Sequence, residues 1–372
     1  MRTPDKRNVS SADGRLSRRR WLKAAGAGVT VGSLAGCVGG IAGGSGSVNL
    51  VMSISGGSWG EWVKEYFVTP WEEDSGNSIE VRFESGGSRN SKLQANRDSP
   101  IYDLSHGSNT DAIRWGAQDL LVRQSETVEA FEDVGEAFRN EWLAGKVLTP
   151  FGIGYNSGAV DKEVTSWEDL LDPAFKGKVA VPAWAWMGAS WLYVINDVQG
   201  GSATNIDPGL EFVDRLINEQ DAVVMENTDA GLRLFQNEEI VIAPYWSART
   251  DQIELESDVE TTFVYPDEGA FKSFYNLAMV AGRGDDRQAA AADFVSSTLL
   301  PERQARFSSS FGYPPTNPDA VQHMDDQAVQ DRPSLEISER DMQNMAKIDI
   351  DWVEVTNRRS QHAERWRQIV RG

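Results

Sequence analysis

Residues 56–60 could hold a catalytic serine. They read Gly-Gly-Ser-Trp-Gly, which fits the G-x-S-x-G pattern of a nucleophile placed on a sharp turn between a strand and a helix. Such a serine needs a histidine base, and the sequence places the three histidines in a loop, in a polar segment and on a terminal helix (His106, His323 and His362). Because short Gly/Ser patterns are weakly specific, we expect no enzyme, and a secreted serine hydrolase using Ser58 is kept as an alternative.

The other reactive side chains predict no metal or cofactor site. The chain has one cysteine and three histidines, so no Cys/His cluster has metal-ligand spacing. The tyrosines are scattered singly, whereas a ferric-ion carrier would need a cluster of them. We therefore expect neither a metal nor a cofactor, and a single cysteine excludes an intramolecular disulfide.

The charge of the chain excludes a further class of partner. There are 36 Lys and Arg residues against 56 Asp and Glu residues, a formal net charge of -20. Eight basic and two acidic residues fall in the first 36 positions, which leaves -26 on the rest. Such a field repels phosphate backbones, so we expect no nucleic-acid binding. The acidic, arginine-over-lysine composition is also similar to that of halophilic archaeal proteins.

The N-terminal segment has the pattern of an export signal. Residues 17–23 (SRRRWLK) precede a weakly apolar run that is too short and too glycine-rich to span a bilayer. Residues 34–37 (LAGC) resemble a lipobox, in which Cys37 becomes the lipid-bearing N-terminus of the mature chain. The sequence thus predicts a signal peptide (1–36), a flexible tether (37–47) and an exported protein anchored to the outer face of the cell membrane.

From Val48 onward, short apolar runs alternate with helical stretches, which is the pattern of an α/β fold with largely parallel sheets. One strand (151–155) would leave a first lobe and another (276–281) would return to it. We therefore predict two lobes, joined by a hinge, that close on a central cleft. The predicted lobes are 48–150 with 276–320, and 151–275 with 321–372; the predicted strands of the first are 48–54, 79–83, 102–104 and 120–122.

Two strand-to-helix turns share the sequence Ser-Gly-Gly-Ser, at residues 55–58 and 85–88. The carboxyl ends of parallel strands meet at one rim, so both turns should open on the cleft. Glycines allow a ligand close to the backbone, and the free N–H groups of the following helix favour an anion. We expect Ser58 and Ser88 to belong to a carboxylate nest; a plain glycine turn with a serine N-cap is the alternative.

Three tryptophans follow a predicted strand in the second lobe. The valine-rich run 179–181, closed by Pro182, predicts a buried strand, and Trp184 and Trp186 would emerge beyond its carboxyl end. Packing in the core of the lobe is the competing interpretation for such aromatic side chains. We expect Trp184 and Trp186 to line the site, and Trp191, one turn further into the helix, to pack in the core.

Three stretches are similar to motifs of the spermidine/putrescine-binding proteins of ABC importers: 164–170 (VTSWEDL), 175–178 (FKGK) and 311–317 (FGYPPTN). The similarity runs in order over about residues 48–370. It implies a two-lobed, type II periplasmic-binding fold that captures a small organic solute without chemistry on it. It also implies delivery to the permease and ATPase subunits of an ABC transporter, and we expect the binding protein to be a monomer.

The resemblance assigns ligand contacts at several positions of this chain. The aromatic contacts in the first helix of the family match Trp59 and Trp62, and its tryptophan after a strand of the second lobe matches Trp246. The serine that follows its Tyr-Asp-Leu strand matches Ser108, next to Asn109. These side chains are expected to line the cleft.

The acids with which the family pairs its ligand are replaced here. Trp184 and Met187, or their immediate neighbours, stand where the family has two acids, and Tyr275 stands where it has a third. Desolvating the ammonium groups of a polyamine without carboxylates would cost several kcal/mol each. The substitutions therefore disfavour a polyamine.

The expected ligand is a small nitrogen-containing solute, either a zwitterion or an organic cation. Aromatic faces would hold its cationic end, at about 0.5–2 kcal/mol per cation–π contact. Asp229, after the strand 222–225, is either a ligand acid or a helix N-cap. A true polyamine stays the alternative because acids of the tail (Asp349, Asp351 and Glu354) could return to the cleft.

Overall fold

The computed structural model describes residues 47–370. The predicted signal peptide and Cys37 lie outside that range. Within it, no helix combines the length and the apolar character that crossing a bilayer requires.

Two groups of β-strands organise the described chain. In chain order the strands are β1 (Asn49–Ile54), β2 (Ser78–Phe83), β3 (Leu104–Ser108), β4 (Arg139–Asn140), β5 (Leu143–Ala144), β6 (Val147–Leu148), β7 (Phe151–Asn156), β8 (Ala180–Pro182), β9 (Val223–Met225), β10 (Ile242–Trp246), β11 (Thr261–Val264) and β12 (Phe274–Met279).

Helices connect and cover these strands. The α-helices are α1 (Ser58–Val63), α2 (Thr69–Ser75), α3 (Gly86–Ala95), α4 (Asn109–Gly116), α5 (Gln124–Thr127), α6 (Ala189–Val198), α7 (Asp207–Asn218), α8 (Thr228–Gln236), α9 (Ser247–Glu256), α10 (Asp285–Thr298), α11 (Pro301–Phe311), α12 (Asp326–Asp331), α13 (Glu339–Ala346) and α14 (Trp352–Val370). Short π-helical turns span Lys64–Val68 and Trp184–Gly188, and 3-10 turns span Glu129–Asp133, Glu136–Phe138, Trp167–Leu171, Pro173–Phe175, Pro318–His323 and Pro333–Leu335.

The sheet of the first lobe has the order β2-β1-β3-β12-β6. β1 runs parallel to β2 and β3, whereas β12 runs antiparallel to β3 and β6. Alternation along β1 puts Leu50, Met52 and Ile54 into one core cluster with α10 and α11, and turns Val51 toward another cluster that contains Trp115 of α4. Because β1, β2 and β3 are parallel, the turns that follow them open at the same edge of the sheet.

The second lobe is built from β10-β7-β11, which are antiparallel, and from the parallel pair β8-β9. A parallel bridge between Val179 and Ile242 joins the two groups. Trp191 of α6 has no exposed surface and packs beside Trp167 and Phe212, so the prediction that it belongs to the core is confirmed.

Two strands connect the lobes side by side. The chain leaves the first sheet at β6 and continues into β7, and it returns into β12; Phe151 and Phe271 exchange backbone hydrogen bonds of 3.1 and 3.0 Å at this crossing. After α11 the chain passes to α13 and α14. Helix α14 packs against α7 of the second lobe and also against α4 of the first. The tail is therefore a third link between the lobes.

Most predicted strands are present within a residue or two, but one prediction is wrong. Residues 120–122 form only an isolated bridge between Leu121 and Val280. Leu120 still donates to the carbonyl of Trp115 in α4, and α5 begins at Gln124, so too few residues remain between the helices for a strand.

The strand predicted at 102–104 begins at Leu104 and runs to Ser108. The carboxylate of Asp103 accepts a hydrogen bond of 2.7 Å from the N–H of Val51. A side chain thus takes up the N–H of β1 at this position, where a neighbouring strand would offer a carbonyl group. His106, predicted in a loop, consequently lies inside β3.

Candidate ligand-binding site

Three turns at the carboxyl edge of the first sheet position the candidate site. The turn into α1 holds Gly57 at φ 76°, a conformation that favours glycine, and no side chain caps that helix. In the turn into α3, Ser85 accepts a hydrogen bond from the N–H of Ser88, as an ordinary N-cap does. In the turn into α4, Ser108 and Asp111 form a reciprocal capping box. The two Ser-Gly-Gly-Ser turns are thus different structures at one edge.

A continuous series of aromatic rings runs from the first lobe to the second. Ring centroids are 6.1 Å apart between Trp59 and Tyr275, and 6.4 Å apart between Tyr275 and Trp246. Phe151 lies 4.8 Å from Trp246 and 6.1 Å from Trp186. The structure therefore brings together four residues that the sequence predicted for the site, and Phe151 at the crossing connects them. We call these five residues the aromatic wall.

The ring of Trp59 is fixed by its own neighbours. Its Nε1–H donates a 3.0 Å hydrogen bond to Nε2 of His106, which stacks on Tyr275 at 5.2 Å. Burial lowers the pKa of His106 well below its ordinary value, and the charges of Arg89 and Lys146 lower it further. His106 is therefore a neutral imidazole that orients an indole.

Ser58 has no histidine partner. Its Oγ accepts a 3.4 Å hydrogen bond from Nη2 of Arg249. The Nε2 of His106 is occupied by Trp59, and the Nδ1 of His362 lies 3.1 Å from the hydroxyl of Tyr193. Among residues 47–370, the strand-to-helix turn at 56–60 thus brings an arginine, and not a histidine, within hydrogen-bond distance of Ser58.

Arg249 lies beside the predicted site residues Ser58 and Trp62, and the sequence interpretation did not include it. Its guanidinium lies 4.8 Å from the ring centroid of Trp62, which stacks on Phe311 at 4.0 Å. Its Nε donates a 3.1 Å hydrogen bond to the hydroxyl of Tyr313. The available signal was its place in the first turn of the helix that follows Trp246. Trp62 is therefore covered by protein groups rather than joined to the aromatic wall.

A second group of charges surrounds the start of α4. Nη2 of Arg114 lies 2.6 Å from Oδ1 of Asp111, while Oδ2 of Asp111 accepts from the hydroxyl of Ser108 at 3.0 Å. Arg89 of α3 is 4 % exposed and donates from Nη1 to the carbonyl of Glu84 at 3.2 Å. Arg359 of α14 lies 5.4 Å from the ring centroid of Trp184.

The pKa shifts show that these charges act on one another. Burial alone would raise the pKa of Asp111, but the charges of Arg114 and Arg89, with hydrogen bonds from Ser108, hold it below its ordinary value. Burial lowers the pKa of Arg359, and the charge of Arg114 lowers it further. Asp111 is thus an ionised carboxylate that is already paired.

The sequence of the chain also matches the model of a known protein family. A model of the bacterial extracellular solute-binding proteins matches residues 67–337. The chain belongs to this family. The match confirms the resemblance seen in the sequence, and it implies an exported protein that binds a solute.

Solved structures with the same fold belong to transport proteins. This solute-binding protein is similar to the crystal structure of an ABC transporter protein from Clostridium perfringens, with 18% identity, a TM-score of 0.69, and coverage of 86% of this chain and 99% of that one. It is also similar to the Atu4243 GABA receptor, with 19% identity, a TM-score of 0.69, and coverage of 87% and 97%. The spermidine/putrescine-binding protein PotD of Streptococcus pneumoniae gives 18% identity, a TM-score of 0.64, and coverage of 87% and 98%.

These likenesses confirm the predicted two-lobed α/β fold. A search of curated proteins found no match to the chain. Among residues 47–370, no group of three or more His, Cys, Asp or Glu side chains is placed to hold a metal ion.

The remaining predicted site residues of this solute-binding protein are not part of the aromatic wall, although Ser108 is paired with Tyr275 in the register of β3 and β12. Asn109 donates to the carbonyl of Lys272 and accepts from the N–H of Phe274, so its amide fixes the crossing. Ser88 lies in the first turn of α3, next to Arg89. Trp184 packs on Trp366 at 5.8 Å and belongs to the group around Arg359.

Asp229 is not the N-cap of its helix. Asn227 has that role and accepts from the N–H of Ala230, so the interpretation of Asp229 as an N-cap is wrong. Asp229 is exposed in the first turn of α8, and its charge helps to raise the pKa of Arg249.

The acids of the tail also lie elsewhere. Asp349 and Asp351 are exposed, and Asp351 accepts from the N–H groups of Val353 and Glu354 at the start of α14. Glu354 pairs with Arg358 at 2.6 Å. The tail thus brings Arg359, not a carboxylate, to the group around Asp111.

Proposed function

We propose that this protein captures a small zwitterionic solute and delivers it to the permease and ATPase subunits of an ABC importer. The solute would be an amino compound that also bears a carboxylate, and the binding protein performs no chemistry on it. The family and the ABC transport proteins among the structural neighbours support the transport role. These neighbours include a GABA receptor and a spermidine/putrescine-binding protein, so the ligand class depends on the site of this chain.

One observation carries the ligand class: an aromatic wall flanked by a guanidinium group. The faces of Trp59, Tyr275 and Trp246 suit the cationic end of a solute, at about 0.5–2 kcal/mol per contact. Arg249, beside Ser58, suits its carboxylate end.

A polyamine fits this arrangement less well. Its several ammonium groups need carboxylates, but Asp111 is already paired with Arg114 and Asp229 is exposed on α8. The guanidinium groups around Asp111 would also repel each additional ammonium group. A polyamine nevertheless makes the sharpest comparison in a binding experiment.

The same proposal includes the cellular setting. The predicted lipid on Cys37 and the tether 38–47 would hold a monomeric binding protein at the outer face of the membrane. Replacement of Cys37 by serine should release the protein into the culture medium without changing the affinity of the soluble domain. Retention of the C37S protein on the membrane would count against the anchor.

Tryptophan fluorescence should distinguish the ligand classes. Glycine betaine and amino acids are expected to give saturable changes, whereas spermidine and putrescine are not. Trp246→Leu should weaken the binding of the effective compound by about tenfold, since it removes one aromatic face. Trp142→Phe, at a ring that packs against Gly116, is the matched control and should bind normally. Saturable binding of polyamines alone would overturn the proposed ligand class.

The hydrolase alternative has a direct test. We expect no stoichiometric labelling of Ser58 by a fluorophosphonate, because its hydroxyl meets Arg249 rather than a base. Ser58→Ala should be indistinguishable from the wild type in this assay. Labelling that disappears in the Ser58→Ala variant would show that the serine is a nucleophile.

A further inference from the structure

Three arginines lie on helices that contact one another where the tail meets the first lobe: α14 packs against α4, and Asn90 of α3 accepts a hydrogen bond from Trp115 of α4. Arg89 comes from α3, Arg114 from α4 and Arg359 from α14, and Asp111 is the acid whose pKa the first two lower. The charge of Arg114 lowers the pKa of Arg359, and the charge of Asp111 raises it. Segments far apart in the sequence thus place their charges in one neighbourhood.

Two of these arginines have a buried hydrogen-bond donor without a partner in the described structure. The Nε atoms of Arg89 and Arg114 are buried and have no hydrogen-bond partner in the described structure. Arg89 as a whole is 4 % exposed, whereas the side chain of Arg114 is 17 % exposed. Each of these two arginines therefore has one buried donor without a partner in the described structure.

The charges in this neighbourhood do not balance. Asp111 can neutralise one of the three arginines, and it is committed to Arg114 at 2.6 Å. Glu84, the other acid near Arg89, pairs with Lys92 at 2.9 Å and accepts from the hydroxyl of Tyr102 at 2.7 Å. Within the described range, 47–370, neither Arg89 nor Arg359 forms a salt bridge, which is a costly arrangement for partly buried groups.

Arg359 lies beyond the part of the chain that matches the family model. The family match ends at residue 337, and α14 begins at Trp352. The helix is held by Trp366, which is 2 % exposed, and by the contact of His362 with Tyr193. The arginine is thus added to the site by a firmly packed segment outside the matched region.

We propose that Arg89, Arg114 and Arg359 form an anion subsite that selects solutes with a second acidic group, a carboxylate or a phosphate. This inference rests on the proposed function and narrows it: the solute carries more acidic than basic charge. The guanidinium fork matches a two-oxygen acidic group in bidentate geometry. Trp184, under Arg359, reports occupancy of the subsite optically.

The test uses the purified soluble domain at constant ionic strength, with malonate as the simplest two-acid probe. Wild type should show a saturable fluorescence change on titration with malonate. Arg359→Gln should weaken that binding by about tenfold or more, and Arg359→Lys by less, because lysine keeps the charge but loses the fork. Arg358→Gln, at the neighbouring residue that pairs with Glu354, should bind as wild type does.

A second titration compares solutes that differ in one acidic group. Glutamate should bind at least about tenfold more tightly than glutamine, and phosphoserine more tightly than serine if the subsite prefers a phosphate. Arg359→Gln should remove each difference, and thermal unfolding monitored by circular dichroism verifies that the variant is folded.

Two results would overturn the subsite: no saturable malonate response in the wild type, or equal binding by the folded Arg359→Gln and Arg358→Gln variants. Equal affinity of the wild type for glutamate and glutamine would also overturn it while leaving the solute-binding function intact. Malonate binding that depends on Arg359, with no response to any amino compound, would keep the subsite and contradict the proposed zwitterion.

Discussion

Lys146→Met is expected to raise the free energy of unfolding by about 3–5 kcal/mol at neutral pH. The Lys146 side chain has no exposed surface, and its Nζ has no hydrogen-bond partner in the described structure. Its neighbours are the rings of Trp59 and Phe67, at 5.6 and 5.7 Å. A methionine fills a similar volume without a charge to desolvate, so the variant should be more stable.

The lowered pKa of Lys146 also makes the stability of the protein depend on pH. Burial lowers the pKa of Lys146 from 10.5 to about 7 in the folded protein. Between those values the unfolded chain holds a proton that the folded chain has released, so stability should rise from about pH 7 to about pH 10. Below about pH 7, the pKa of Lys146 in the folded protein, the buried ammonium group destabilises the protein to its full extent. Lys146→Met should remove this rise.

Urea unfolding at several pH values checks both expectations. Lys178→Met is the matched control, because Lys178 is exposed and its Nζ donates to the carbonyl of Glu238. It should change stability by no more than about 0.5 kcal/mol at any pH. A Lys146→Met variant less stable than wild type would show that the ammonium group has a stabilising partner, and a retained slope would show that another group causes the pH dependence.

Trp191→Ala is expected to destabilise the protein by about 3–5 kcal/mol, because the indole is fully buried between Trp167 and Phe212. Its Nε1 has no hydrogen-bond partner in the described structure, so packing accounts for the loss. Trp191→Phe should therefore recover a large part of it. Neither variant should alter the ligand preference.

Trp184→Ala is the informative comparison, since both tryptophans come from the stretch 179–191. Trp184 is half-buried and packs on Trp366 and Arg359, so we expect a loss of about 1 kcal/mol in stability. Ligand affinity should fall by more than stability does. An equal loss of stability in the two alanine variants would assign Trp184 to the core.

The local elements of the fold could be predicted from the sequence because they depend on local patterns. The apolar alternation of β1, the capping serine before α4 and the strand that ends at Pro182 are each signalled within a few residues. Trp191 could be placed in the core by its spacing along α6. The prediction of a strand at residues 120–122 is wrong because three apolar residues between helices have the local pattern of a strand.

The charges of the site could not be predicted in the same way. Arg89, Arg114 and Arg359 meet only after three helices have packed, and no spacing in the sequence relates residue 359 to residue 114. The sequence offers Asp349, Asp351 and Glu354 as acids of the tail that could reach the cleft. Long-range packing instead places the guanidinium of Arg359 over Trp184, which favours an acidic ligand group over a cationic one.

The strand order of the first sheet determines when each lobe can be completed. β12 lies between β3 and β6, so this sheet has a gap until residues 274–279 have been synthesised. The strands of the second lobe all fall within residues 151–264, so they can pair first. Until the chain returns, β3 presents an unpaired edge of N–H and C=O groups. Premature termination before residue 274 would therefore leave the second lobe without α14, whose Val355 and Trp366 belong to its core, and attached to an aggregation-prone half sheet.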